Sequence, residues 1–114
     1  MNFKLKNEDL YSFCLLEQNT FVKGNIELEV NMRINGKVKG NVISQKKIIL
    51  GKYAQVDGDV SCSELIVEGN ILGNIKTTDD LIIKNSAVVS GKITCKTIKV
   101  EEGAKLNGTI HSTQ

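Results

Sequence analysis

Glycines recur along the chain at nearly regular intervals, and each lies between two apolar residues. The anchor glycines are Gly24, Gly40, Gly58, Gly73, Gly91 and Gly108, which are 16, 18, 15, 18 and 17 residues apart. Two positions before them stand Val22, Val38, Val56, Ile71, Val89 and Leu106. Two positions after them stand Ile26, Val42, Val60, Ile75, Ile93 and Ile110. A frame that recurs six times in phase indicates an internal structural repeat.

Two further columns accompany this frame. Four positions before the anchors the residues are small, namely Thr20, Gly36, Ala54, Gly69, Ala87 and Ala104. Directly after the anchors they are polar, namely Asn25, Asn41, Asp59, Asn74, Lys92 and Thr109. The alternation of apolar and polar positions has period two, so we assign each frame to a β-strand with one buried face. We expect the glycine where the strand bends or two backbones pack closely, and the small residue at a tight corner.

A second apolar pair follows the frame in most repeats. These pairs are Met32 and Ile34, Ile48 and Leu50, Leu65 and Val67, Leu81 and Ile83, and Ile98 and Val100. They too alternate with outward residues, which predicts at least two strands in each repeat. Turn-forming residues such as those at 68–69, 85–86 and 102–103 separate the strands.

A repeat of about 17 residues is too short for a solenoid unit that contains a helix, but it can form one turn of a β-solenoid. A single turn cannot bury its own aliphatic side chains, whereas turns stacked about 4.8 Å apart cover one another. The predicted fold is therefore all-β, a single-stranded parallel β-helix with about six short rungs. We divide the chain into an apolar, aromatic segment at 1–19, the β-helix at 20–110 and a short tail at 111–114.

Composition agrees with many short strands and narrows the possible partners. The chain is 40% hydrophobic but only 4% aromatic, and it contains ten glycines and no proline. The formal net charge of +2 predicts no nucleic-acid partner, since such proteins carry a strongly basic patch. No apolar run has the length of a signal peptide or a membrane span, and three cysteines without paired spacing fit a reducing compartment. We expect a cytoplasmic protein.

The repeats resemble those of the bactofilins, bacterial cytoskeletal proteins with a right-handed parallel β-helix. The resemblance rests on the stretches 34–42 (INGKVKGNV) and 54–60 (AQVDGDV) and extends from about Thr20 to Ile110. It implies a right-handed solenoid that polymerises without nucleotide into non-polar filaments. It further implies roles in cell shape or as a scaffold for cell-wall enzymes, often at the inner face of the cell membrane. Proline-rich tails are common in the family, and this chain has no proline.

The two ends of a β-solenoid expose unpaired backbone groups and aliphatic side chains, which favour further pairing. Only four residues follow Ile110, too few for a cap, so we expect end-to-end assembly of identical subunits. The predicted polymerisation edge comprises Leu106, Ile110 and Val100 at one end and Phe21 and Val22 at the other.

The first nineteen residues differ from the repeats, because most of the aromatic residues lie in or next to them. We interpret this segment as a cap over the first rung or a contact with a neighbouring subunit, and alternatively as a membrane contact. The candidate residues for a membrane or partner contact are Phe3, Leu5, Leu10, Tyr11 and Phe13. Residues 7–9 (NED) have the composition of a short helix start.

Candidate chemistry is sparse, so we predict no enzyme, cofactor or metal site. Cys62 and Cys95 occupy the same repeat position as Ser44 and Thr77, and two rungs separate them, which is beyond disulfide reach. Asp57 and Asp59 flank Gly58, and we interpret both as solvated, outward residues. In the repeat, Asp57 is equivalent to Lys39 and Leu72, and Asp59 is equivalent to Asn41 and Asn74. An outward ladder of Asn25, Asn41 and Asn74 is expected to add a little stability.

Two other classes of function remain open. One is a glycan- or acyl-processing β-helix enzyme, although the uneven rung length does not fit the strict six-residue period of hexapeptide acyltransferases. The other is a non-polymerising solenoid adaptor that binds a membrane or cell-wall protein. Particle size that depends on concentration distinguishes the polymer from the adaptor.

Overall fold

The computed structural model describes residues 2–5 and 13–113, with side chains from Cys14 to Thr113. These residues form nineteen short strands in three parallel sheets. Sheet A contains β1 (Asn2–Leu5), β4 (Asn25–Leu28), β7 (Val42–Ser44), β10 (Val60–Cys62), β13 (Ile75–Thr77), β16 (Ile93–Cys95) and β19 (Ile110–Ser112). Sheet B contains β2 (Phe13–Leu16), β5 (Asn31–Ile34), β8 (Lys47–Leu50), β11 (Glu64–Val67), β14 (Asp80–Ile83) and β17 (Thr97–Val100). Sheet C contains β3 (Phe21–Lys23), β6 (Lys37–Lys39), β9 (Gln55–Asp57), β12 (Asn70–Leu72), β15 (Val88–Ser90) and β18 (Lys105–Asn107).

The chain passes through sheets A, B and C in turn and then begins the next rung, so the fold is a β-solenoid of about six turns. Each strand pairs in parallel with the strand three further along the chain. The predicted all-β parallel solenoid is confirmed. The described residues contain no helix, so none of them forms a helix able to cross a membrane.

The core is a set of aliphatic columns that run along the solenoid. In sheet A the register stacks Val42, Val60, Ile75 and Ile93 directly on one another, and all four are buried. The predicted second pairs form the equivalent columns of sheet B, for example Leu65 beside Leu81. Each aliphatic residue of these columns is covered by both neighbouring rungs. Burial of its apolar surface stabilises the fold by about 25 cal/mol for each Å² removed from water.

The assignment of each glycine frame to one strand is wrong, because the frame spans two strands and a corner. Val56 lies in β9 of sheet C and Val60 lies in β10 of sheet A, with Gly58 at the bend between them. Each rung therefore has three strands. The alternation of inward and outward residues continues around the bend because Gly58 has a φ of 155°.

Close stacking of the corners explains why the anchors are glycines. A Cβ on Gly73 would lie 2.0 Å from the carbonyl oxygen of Gly58, and its φ is +154°. A Cβ on Gly91 would lie 2.1 Å from the carbonyl oxygen of Gly73. Any side chain at these positions would clash with backbone of the rung before, which confirms the expected close approach.

Two other corners account for the uneven spacing of the anchors. The corner from sheet B to sheet C has two residues at 35–36 and 68–69 but four at 17–20, 51–54, 84–87 and 101–104. The corner from sheet A to sheet B has one or two residues from the second rung onward. Strand lengths stay nearly constant, so insertions fall outside the hydrogen-bonded ladders. The small residues of the repeat end the sheet B to sheet C corner, where Gly36, Ala54, Gly69 and Ala87 are buried.

A side-chain ladder runs along the corner after each anchor. The backbone N–H of Asn41 donates to Oδ1 of Asn25 at 2.9 Å, and that of Asp59 donates to Oδ1 of Asn41 at 2.9 Å. Asn74 and Lys92 continue the series by donating to Asp59 and Asn74 at 2.9 and 3.0 Å. The carboxylate of Asp59 is thus a member of the ladder, in addition to the predicted asparagines. The ladder ends at Lys92, whose side chain has no acceptor atom.

Strands of the solenoid also lie before residue 20. β1 pairs with β4 and β2 pairs with β5, so the first rung begins at Asn2 within the segment that we had set apart as 1–19. The helix start considered at 7–9 lies outside the described residues.

Candidate assembly site

The end of the solenoid formed by β17, β18 and β19, called here the C-terminal end, exposes apolar residues of the core columns. Ile110 pairs with Ile93, which is 2% exposed, yet Ile110 itself is 48% exposed. Val100 continues the column of Ile83 and is 43% exposed. Leu106 is half-buried beside Val89. These side chains have the chemistry of the core but lack a covering rung.

The backbone at this end is equally open. β19, β17 and β18 are the last strands of sheets A, B and C, and no strand of the described part of the chain pairs with their outer sides. The outward N–H and C=O groups of β17 and β18 can therefore pair with another strand or with water. The C-terminal end therefore combines unpaired backbone with exposed aliphatic side chains.

The opposite end is formed by β1, β2 and β3 and is called here the N-terminal end. Phe21 in β3 is 63% exposed, and Val22 beside it is half-buried against the core. The structure thus places the strands of the predicted edge residues at the two ends: Leu106, Ile110 and Val100 at one, Phe21 and Val22 at the other. The side chain of Phe21 lies on the outer face of sheet C, in register with Lys37. The role of the edge residues in polymerisation stays a prediction.

The candidates for a membrane or partner contact fall in two groups. Phe3 and Leu5 lie in β1, in register with Ile26 and Leu28 of the next rung, and Phe13 begins β2. These positions belong to strands of sheets A and B, which were not predicted from the sequence. The signal was present in the alternation of Asn2–Leu5, which matches that of Asn25–Leu28. Leu10 and Tyr11 lie outside the described residues.

Small side chains form one column of the core on sheet A. The column consists of Ser44, Cys62, Thr77 and Cys95, which are all buried. Burial raises the pKa of the Cys62 thiol to about 12, which leaves it protonated and a poor nucleophile. Ser44 donates from Oγ to the carbonyl oxygen of Val30 at 2.8 Å, whereas Oγ1 of Thr77 is buried without a hydrogen-bond partner. The column is a packing feature of the core.

The described acidic groups are spread over the solenoid. Asp57 lies on sheet C in register with Lys39 and Leu72, as the repeat predicted, while Asp59 lies at the corner before β10. Within the described ranges, 2–5 and 13–113, no three His, Cys, Asp or Glu residues are placed to hold a metal ion. Among the described residues, the two ends of the solenoid are the prominent feature.

The family model that matches residues 14–111 is Bactofilin, described as polymer-forming cytoskeletal. The chain belongs to this family of polymer-forming cytoskeletal proteins, which are structural proteins.

The fold agrees with a solved bactofilin. The chain is similar to the crystal structure of a phenylalanine-to-arginine mutant of the bactofilin from Thermus thermophilus, with a TM-score of 0.75 and 20% sequence identity. The alignment covers 79% of this chain and all of the other. At that identity the likeness concerns the fold. No curated protein matches the sequence.

Proposed function

We propose that the chain assembles end to end, without nucleotide, into filaments that act in cell shape or as a scaffold for cell-wall enzymes. The observation that supports this most is the core column of sheet A. Ile75, Ile93 and Ile110 have the same chemistry and register, yet only Ile110 lacks a cover. A second subunit stacked on this end would give Ile110 the environment that Ile75 already has.

The driving forces for such stacking are those that hold the rungs together. Burial of Val100, Leu106 and Ile110 supplies a hydrophobic term, and the outward backbone groups of β17 and β18 supply hydrogen bonds. Neither requires nucleotide hydrolysis. A contact of this kind that does not close on itself extends into a filament.

Location and partners form part of the same proposal. We place the filament in the cytoplasm, at the inner face of the cell membrane, with cell-wall enzymes as further partners. The family resemblance supports this location, and a charged face described below offers a surface for it.

Negative-stain electron microscopy of the purified chain, without nucleotide and over a range of protein and salt concentrations, tests the proposal. We expect thin, regular filaments whose abundance rises with protein concentration. Uniform small particles under every condition would contradict polymerisation and favour the non-polymerising adaptor.

A further inference from the structure

Sheet C presents a flat outer face on which positive charge is concentrated. Its outward positions form two columns along the solenoid. One is Phe21, Lys37, Gln55, Asn70, Val88 and Lys105, and the other is Lys23, Lys39, Asp57, Leu72, Ser90 and Asn107. Four lysines face one aspartate, which leaves an excess of three positive charges on this face.

The other two faces lack this imbalance. On sheet B, Arg33, Lys47 and Lys99 are largely offset by Glu64 and Asp80. On the strands of sheet A with described side chains, Glu27 offsets Lys76. The excess on sheet C is greater than the formal charge of +2 on the whole chain, because the corners between sheets B and C carry more acidic than basic residues.

The lysines of this face are free to meet an external anion. Lys23, Lys37 and Lys39 are exposed and lie on the adjacent strands β3 and β6. The ion pair recorded among the described residues joins Lys84 to Glu101, at the corner between sheets B and C of the last two rungs. Asp57 is next to Lys39 in register but forms no ion pair with it.

Apolar side chains stand out from the same face. Phe21 is 63% exposed, Leu72 is 60% exposed, and Val88 is exposed on the strand after Leu72. They lie among lysines, amides and a serine rather than in one continuous patch. Lysines beside protruding apolar side chains suit a bilayer surface, where ammonium groups meet lipid phosphates and apolar groups enter the headgroup boundary.

We propose that the outer face of sheet C is a docking surface for an anionic lipid bilayer. A nucleic acid would use the lysines but would leave Phe21, Leu72 and Val88 without a role. This proposal specifies a surface for the membrane location proposed above, and it holds for single chains as well as for filaments.

Vesicle flotation in a density gradient tests the surface, because free filaments sink and vesicle-bound protein floats. Vesicles of phosphatidylglycerol and phosphatidylethanolamine are compared with vesicles of phosphatidylcholine alone. We expect the chain to float with the anionic vesicles and not with the neutral ones. Because opposite charges are screened by salt, binding should weaken at high ionic strength.

The double variant Lys37→Glu with Lys39→Glu should reduce the vesicle partition coefficient by at least about tenfold. Its matched control, Lys76→Glu with Lys99→Glu, makes the same change of charge on exposed residues of sheets A and B and should retain most of the binding. Substitution of Phe21 and Leu72 by serine should also lower binding, with a smaller change in salt dependence.

Equal loss of vesicle binding in the two lysine variants would show that binding depends on the net charge of the chain and not on the position of the lysines. That result would overturn the proposal. Loss on substitution of Leu10 and Tyr11, with the lysine variant unaffected, would assign the contact to the N-terminal segment instead. Failure of the wild-type chain to float with anionic vesicles would also overturn it. Electron microscopy of each variant separates these outcomes from failure of polymerisation, since filaments that form but do not float contradict the docking surface alone.

Discussion

Ile75 and Ile110 occupy the same column of sheet A two rungs apart, and they differ in what covers them. Ile75 lies between Val60 and Ile93 and is 1% exposed, whereas Ile110 has a neighbour on one side and is 48% exposed. Since the sequence pattern around both residues is the same, the chain specifies a core position at its end as it does in its middle. A position suited to burial, yet uncovered within the described part of the chain, is the feature on which the proposed assembly rests.

The largest expected effect distinguishes these two positions directly. Ile75→Asp places an unpaired charge in the core and should destabilise the fold by about 4–5 kcal/mol, enough to unfold a marginally stable solenoid. Ile110→Asp should keep its β signal because water reaches the carboxylate. Far-ultraviolet circular dichroism measures both, and a folded Ile75→Asp would contradict the placement of this column in the core.

A methyl group on an anchor glycine tests how tightly the middle rungs stack. Gly73→Ala should cost at least about 3 kcal/mol, because the new Cβ would lie 2.0 Å from the carbonyl oxygen of Gly58, which is part of the backbone and cannot rotate away as a side chain can. In Gly103→Ala, near the C-terminal end, the nearest atom is at 3.3 Å and the residue has a φ of +103°, so the cost should be about 1 kcal/mol. Equal shifts in thermal midpoint would contradict the close stacking.

Removal of one member of the side-chain ladder should have a smaller effect. Asn74→Ala takes away the acceptor for the backbone N–H of Lys92 and should cost about 1 kcal/mol in urea unfolding. Lys76→Ala is a suitable control, because the side chain of Lys76 is exposed on the next strand and belongs neither to the ladder nor to the ion pair of Lys84 and Glu101. A cost no greater than that of the control would show that water replaces the ladder without loss.

The smallest effect is predicted for a substitution that extends the side-chain ladder toward the C-terminal end. Lys92→Asn supplies an acceptor for the backbone N–H of Thr109, which has none in the described part of the chain. We expect a gain of about 0.5 kcal/mol in urea unfolding, at the low end for a net hydrogen bond. A Lys92→Ala variant controls for the loss of charge, and equal stability of the two would contradict the extension.

The inward columns were predictable from the sequence because burial selects aliphatic residues at fixed positions. Val60, Ile75 and Ile93 stand at the same distance from their anchors and are all buried. The three-strand rung was not predictable from period two alone. The alternation of inward and outward residues continues through Gly58, so that pattern gives no sign of the bend. The positive φ of Gly58 marks the boundary between sheet C and sheet A at that point.

The first rung was missed for a different reason. Residues 6–12 separate β1 from β2, where later rungs have one or two residues, and no anchor glycine precedes β1. Spacing therefore fails as a guide there, although Asn2–Leu5 repeats the polar and apolar order of Asn25–Leu28. Leu106 and Ile110 were predicted as edge residues because they flank Gly108, the last of the six anchor glycines. The charge on sheet C was hidden, since lysines far apart in sequence meet only through the register.

Sedimentation velocity of the wild-type chain and Ile110→Asp, without nucleotide and over a wide concentration range, tests the central claim most directly. The wild-type chain should form species that grow with concentration, and the variant should remain as small folded particles of constant size. Growth of the variant at the same concentrations as the wild-type chain would show that the exposed core column at the C-terminal end does not drive assembly.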